Sequence, residues 1–231
     1  MKDKGKRCLD SSLIPPPSSR RRRPSLICTV FEDEARASGF KLIAGIDEVG
    51  RGALAGPVVA AAVILDPGRP LPKGLDDSKK LTAAQRERIT DELLRGAIAY
   101  AVGQVEPDEI DQINILQATR RAMLAALDQL DPCADYLLID AIQLKESNLP
   151  QKAIIGGDSI SASIAAASVI AKTYRDALLR GFQDVYPQYN FASHVGYSTR
   201  AHLEALRRHG PCPIHRKSFH GVLAEGMRDE G

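Results

Sequence analysis

Tryptophan is absent from the 231 residues, and aromatic residues make up only 5%. That scarcity argues against a broad stacking platform for single-stranded nucleic acid, which needs a succession of exposed rings. Cysteine is sparse too. Cys8, Cys28, Cys133 and Cys212 are scattered, with no Cys-x-x-Cys pair. The pattern excludes a disulfide framework and a cysteine zinc site, and it predicts free thiols in a reducing compartment, hence a cytoplasmic location. Long apolar runs are also missing. The longest, about Pro57 to Leu65, falls far short of the ~20 residues that cross a bilayer, so no membrane association is expected. Met1 is followed by charges rather than an apolar segment, which reads as no secretory signal.

What is present suits one globular domain with a tail: 44% hydrophobic and 26% charged residues, enough for a sizeable core. The net charge is +2, unevenly spread. Residues 1–38 hold 9 Lys+Arg against 5 Asp+Glu, and the remainder holds 22 against 24. Residues 172–217 carry 8 basic and 3 acidic side chains, a local excess suited to phosphates.

Pro15-Pro16-Pro17-Ser18-Ser19 and the run Arg20 to Arg23 cannot bury enough apolar surface to offset chain entropy. Residues 1–38 are therefore predicted to be a disordered basic tail. A nucleic-acid-binding arm and a transit peptide are the alternatives, the latter opposed by Asp3 and Asp10. Order is expected to begin near Lys41, giving a folded domain over 39–222 and a flexible C-terminus over 223–231.

Within the domain, Lys41 to Asp47 reads as a strand. Val58 to Leu65 reads as a strand buried on both faces. Thr82 caps a helix to about Leu94, and Ala97 to Val105 reads as a third strand. Pro107 opens a helix whose apolar face runs from Ile110 to Leu127. Tyr136 to Asp140 and Lys152 to Ile155 are two more strands. Asp158 or Ser159 caps a long Ala-rich helix to about Phe182, and a last helix spans about Thr199 to His209. The short connection from 47 to 58 predicts antiparallel pairing there. The whole reads as an α/β fold, a mixed five-stranded sheet flanked by helices, with a C-terminal helical region.

Two apolar strands end alike, in Ile46-Asp47 and Ile139-Asp140. Ligands of open α/β sheets sit at the carboxyl ends of strands. Parallel neighbouring strands would bring Asp47 and Asp140 together. Glu48 would face the other side of an unbroken strand, unless a turn at Gly50 and Gly52 swings both carboxylates to one side. Asp158, at a helix start, could join them. Such a group either takes up protons or gathers cations. With no His or Cys among the donors it favours Mg²⁺ or Mn²⁺, the set of parts for two-metal phosphodiester cleavage. From spacing alone the plainer reading also stands: turn residues at the strand ends, and a helix cap at Asp158.

Gly50-Arg51-Gly52-Ala53-Leu54-Ala55-Gly56 leaves backbone N–H groups free to approach a phosphate. It partly mimics a dinucleotide fingerprint. But a strand follows instead of a helix, and Asp47-Glu48 would repel a pyrophosphate. The five histidines, between His194 and His220, lack zinc-ligand spacing.

The stretch Ile46-Asp47-Glu48-Val49-Gly50-Arg51-Gly52, followed by Leu54-Ala55-Gly56-Pro57-Val58-Val59, closely resembles bacterial ribonuclease HII. So do Asp77-Ser78-Lys79-Lys80-Leu81, Tyr136 to Asp140, Gly157-Asp158-Ser159 with Ser163 to Lys172, and the C-terminal Gly196-Tyr197, His202 to Leu206 and His215 to Phe219. The resemblance spans about Leu42 to Val222. It implies an RNase H-like fold. It also implies endonucleolytic cleavage of the RNA strand of RNA–DNA hybrids and of ribonucleotides embedded in duplex DNA. The family's acidic set maps onto Asp47, Glu48, Asp140 and Asp158. Its 2′-hydroxyl-reading loop maps onto Gly50, Arg51 and Gly52, and its junction-stacking tyrosine onto Tyr197. Departures fall at Ile160, Ser193 and Val195, where the family often has other residues.

On this reading Asp47 bridges two Mg²⁺ or Mn²⁺ ions in the substrate complex, and in-line attack leaves 5′-phosphate and 3′-hydroxyl ends. Lys79 and Lys80 read as either solvated or functional, Lys79 being the one expected at the substrate. Ser168 and Lys172, one helical turn apart, are expected to hold backbone phosphates. Arg120 reads as a snorkelling side chain or a phosphate contact. The protein is expected to act as a monomer. A non-catalytic nucleic-acid binder using the basic tail is the competing reading.

Overall fold

Seven consecutive residues of the second strand are fully buried, and the layers that bury them define the architecture. The computed structural model describes residues 27–223. Its sheet contains β1 (Ile43–Val49), β2 (Val58–Ile64), β3 (Ala99–Val105), β4 (Tyr136–Asp140) and β5 (Gln151–Ile154). The order is β3-β2-β1-β4-β5. Pairing is antiparallel for β1–β2 and β2–β3, and parallel for β1–β4 and β4–β5. The tight connection after β1 dictates the first pairing. The long, helix-containing connection from β2 onward brings β4 parallel to β1, and a helix-free loop over residues 141–150 brings β5 parallel to β4. On edge strand β3, Ala99, Ala101 and Val105 are buried, while Tyr100 and Gln104 face solvent, the period of two expected of a strand covered on one side.

Helix α2 (Ala83–Gly96) is capped by a reciprocal box between Thr82 and Gln85. The single helix expected after Pro107 is two, α3 (Pro107–Ile113) and α4 (Ile115–Asp128). Asn114 breaks it at φ 67°, and its side chain accepts from the amides of Leu116 and Gln117. Apolar periodicity runs through such a break because the two helices share one buried face. Helix α4 covers one side of the sheet, with Ala118, Ala122, Met123 and Ala126 against Ile46, Ala60, Ala62 and Ile139.

Helix α5 (Ala162–Val185) covers the other side, its alanines packed on Val59, Ala61 and Val63. The approach is close. A Cβ at Gly45 would lie 2.1 Å from the backbone carbon of Ser163. Ser161 caps this helix, not Asp158 or Ser159, which form a separate 3₁₀ turn over Gly157–Ser159. Three cap-type residues within four positions, Asp158, Ser159 and Ser161, made that choice ambiguous. Helices α6 (Phe191–His194) and α7 (Arg200–His209) build the C-terminal region, whose core joins Leu54, Leu179, Phe191 and Leu206.

Order begins earlier than expected. Val30–Ala37 forms helix α1, inside the stretch read as a tail. Its contacts are tertiary: Phe31 and Ala35 pack with Ile43, Leu138 and Ile164. Glu32 is buried and accepts at 2.6–2.8 Å from the Ser161 and Ser163 hydroxyls and the Ser163 amide, anchoring the start of α5. The Pro-rich run, Arg20 to Arg23 and most of the segment 223–231 lie outside the described residues. No helix among the described residues is long and apolar enough to cross a membrane. Cys28, Cys133 and Cys212 are free thiols.

Candidate active site

Parallel pairing of Ile46 with Ile139 sets Asp47 beside Asp140 at the same end of the sheet. Asp47 points to the α5 side, where it takes a hydrogen bond from Ser168, and it is only 4% exposed. The turn that would bring Glu48 to the same side does not occur. Strand β1 continues to Val49, so alternation places Glu48 on the opposite face, bonded to Arg51 Nη1 at 3.1 Å. Asp140 Oδ1 accepts from the Gly157 amide at 2.8 Å, which ties β4 to the turn carrying Asp158. Asp158 is buried, with Lys79 Nζ 3.0 Å from its Oδ2.

These carboxylates disturb one another. Burial pushes the Asp47 carboxyl well above the usual range, and the charges of Glu48 and Asp140 push it further. Glu48 is raised by burial and by Asp140, against the pull of Arg51. Asp140 is raised by burial and by Asp158, against the Gly157 amide and Lys79. The Lys79 ammonium is held charged by Asp158, Asp77 and Asp47. A cation is therefore already drawn to the group. The donors are all hard oxygens, which fits Mg²⁺ or Mn²⁺. As placed, no three His, Cys, Asp or Glu side chains among the described residues converge closely enough to hold an ion. Asp47, Glu48 and Asp140 nevertheless act on one another through space.

Two expected phosphate contacts are placed otherwise. Ser168 is buried and bonded to Ser78 at 2.9 Å, so it supports Asp47 from beneath. Lys172 is tied to Asp176 at 2.7 Å, with its ammonium 5.1 Å from the Tyr197 ring. Adjacent helical spacing predicted a shared face correctly but not its burial. Arg120 stands 3.9 Å from Glu146, and Lys80 pairs with Asp76. Gly52 and Arg51 are exposed. Tyr197 is half-buried beside the loop, bridged to Ala53.

Three features around the site escaped the sequence reading. Ser78 links the Asp77-Ser78-Lys79 segment to Ser168. Arg175 and Arg216 are fully buried under the glycine loop. His194, His202 and His215 are also buried, and their partners assign their protons. His202 Nδ1 donates to the Tyr197 carbonyl at 2.9 Å, which leaves its Nε2 to accept from His215 Nε2 at 3.0 Å. His215 Nδ1 then accepts from the Cys212 amide at 2.9 Å. Burial lowers His202 and His215 to about 4, so both are neutral at pH 7. The clustering of all five histidines between His194 and His220 was the one signal in the sequence.

Residues 44–222 match the family model for Ribonuclease HII. A curated relative named Ribonuclease HII from Ruminiclostridium cellulolyticum is 51% identical over 189 residues, covering 82% of this chain and 74% of its own. The crystal structure of ribonuclease H2 from Pyrococcus horikoshii superposes with a TM-score of 0.67 at 26% identity, over 79% of this chain and 95% of that one. Bst-RNase HIII in complex with Mn²⁺ shares the fold at a TM-score of 0.59 and 18% identity, over 78% of this chain and 68% of that one.

Proposed function

Because the chain belongs to the ribonuclease HII family, metal-dependent nucleases that cleave RNA in RNA–DNA hybrids, we propose that Asp47, Glu48, Asp140 and Asp158 are its cation-binding carboxylates. The observation that carries this is mutual repulsion. Three buried or half-buried carboxyls at one sheet end all have raised affinities for protons, partly through one another. Two Mg²⁺ or Mn²⁺ ions bound there in the substrate complex would polarise the attacking water and neutralise the leaving 3′-oxygen.

The chain's own residues do the rest. Asp47, between its neighbours and seated on Ser168, would be the central carboxylate of this cation-binding group. Ser78 and Ser168 lock its orientation through their shared hydrogen bond. Lys79, 76% exposed at its side chain, releases Asp158 and meets a substrate phosphate. The exposed backbone of Gly52 and its neighbours reads the 2′-hydroxyl, the group that separates RNA from DNA at one nucleotide. Tyr197 supplies an apolar face for the adjoining sugar, with Lys172 beneath it. Substrates are RNA–DNA hybrids and single ribonucleotides in duplex DNA, with 5′-phosphate and 3′-hydroxyl products. The catalytic domain spans residues 39–222, supported by α1, and acts as a monomer in the cytoplasm.

Incubation with an all-DNA duplex and a singly ribo-substituted one, with and without Mg²⁺, tests this reading. Cleavage at the ribonucleotide, dependent on the ion and leaving the stated ends, is expected. Cleavage of both duplexes alike, or without the ion, would refute it.

A further inference from the structure

Arg175 and Arg216 are both 0% exposed, yet neither takes part in an ion pair among the described residues. A buried cation without a counter-charge costs several kcal/mol unless dipoles replace the lost water. Here backbone carbonyls replace it. Arg175 donates to Pro57 O at 3.0 Å, Ala55 O at 2.8 Å and Val195 O at 2.9 Å. Arg216 donates to Gly56 O at 2.9 Å and Arg51 O at 3.1 Å. Four of these five acceptors belong to residues 51–57. Arg216 Nη2 is buried with no partner, so the arrangement is not tuned for stability alone.

We propose that Arg175 and Arg216 are positioning residues that hold the glycine loop in its substrate-reading shape from below. The proposal rests on the reading that this loop contacts substrate. It also reassigns the glycines. Gly50 has φ +90°, and a Cβ there would lie 2.2 Å from Arg175 Nε. Gly56 has φ +81°, and its Cβ would lie 2.8 Å from Leu179 and 3.4 Å from Arg175 Nη2. Gly50 makes room for the buried guanidinium, and Gly56 for Leu179 beside it. Gly52 has no atom within 4 Å of where a Cβ would stand, so it alone is left open to a ligand. The same guanidinium lies under Tyr197, with Cζ 5.4 Å from the ring centroid. One side chain thus sets both the loop and the aromatic beside it. Burial and the neighbouring Arg175 charge lower Arg216 to about 9, as two close cations in a dry site require.

A guanidinium holds several carbonyls in a fixed plane, whereas an ammonium keeps the charge and loses the fork. Arg216→Lys, Arg175→Lys and Gly52→Ala are compared on a duplex with one embedded ribonucleotide. The readouts are KM, kcat and Mn²⁺ affinity. Arg216→Lys is expected to raise KM about tenfold, with kcat and Mn²⁺ affinity little changed, and Arg175→Lys to do the same or more. An unchanged KM in folded Arg216→Lys overturns the proposal. So does a joint loss of kcat and Mn²⁺ affinity, because the effect would then have reached the carboxylates. Gly52→Ala separates the two levels. If it leaves KM unchanged, the loop does not read substrate. If it raises KM while Arg216→Lys does not, the arginine role alone is lost. Should the lysine variants fail to fold, hydrogen exchange at the Leu54 and Gly56 amides of the free wild-type protein decides: slow exchange is expected, and fast exchange overturns the proposal.

Discussion

The two halves of the candidate site solve opposite electrostatic problems. At the sheet end, Asp47, Glu48 and Asp140 are crowded and raised in pKa by burial and one another, with Lys79 a single exposed ammonium among them. Under the glycine loop, two buried cations and three neutral histidines have nearly every polar atom bonded, mostly to backbone. The first region is held in conflict that a divalent cation relieves. The second is tied down before any ligand arrives. Chemistry needs charge that is not yet satisfied, whereas discrimination of one hydroxyl needs backbone that does not move.

Removing charge from the first half should give the largest effect. Asp47→Asn is expected to lower kcat by at least about 10³-fold, measured on the ribo-substituted duplex. It should not lower the melting temperature. The raised pKa of Asp47 means that its protonated form suits the fold, and that this contribution is lost as pH rises through the folded value. An uncharged side chain should therefore be neutral or stabilising at pH 7 without metal. A marked drop in melting temperature would erase the contrast.

Acid should act with the opposite sign on the second half. His202 and His215 sit at about 4, below their ordinary 6.5, so the fold holds fewer protons than the unfolded chain between those values. Their contribution is complete above about pH 6.5 and is lost as pH falls towards 4. A proton on His202 Nε2 breaks the shared bond, whereas one on His215 Nδ1 displaces the Cys212 amide. Because each charge opposes the other in this coupled pair, the loss is counted once, roughly 3 kcal/mol. Thermal melts from pH 7 to 4 check it, and His202→Gln should flatten the dependence.

Glu32 sharpens the comparison from outside both halves. It is a buried carboxylate with three donors on one oxygen, the reverse of Asp47. Glu32→Gln is expected to destabilise by about 2 kcal/mol in denaturant unfolding. The same change of acid to amide should thus have opposite signs at residues 47 and 32. The smallest effect belongs to Lys79→Met, which frees Asp158 at an exposed pair. Mn²⁺ binding should tighten about threefold and KM rise slightly.

Much of the sheet was legible because its signals are local. Val58 to Ile64 is apolar and β-branched over a strand's length, Asp47 and Asp140 end similar strands, and Thr82 with Gln85 writes its cap into four residues. Local signals fail where a residue's meaning comes from a distant partner. Helix α1 is only 8 residues long and is held by Ile43, Leu138 and the serines that start α5. Ser168 and Lys172 share a face in any helix, but only packing decided that Ser168 lies under Asp47 and Lys172 against Asp176.

The sequence by itself determined the strands, most helices, the acidic residue types and the family motifs, since period, caps and spacing act within a few residues. Tertiary structure alone decided that two arginines lie buried under the glycine loop, which glycine makes room for one of them and which stays open. Those outcomes depend on desolvation and close contact between segments more than 100 residues apart, such as Arg175 with Pro57 and Arg216 with Gly56, and no local pattern encodes them.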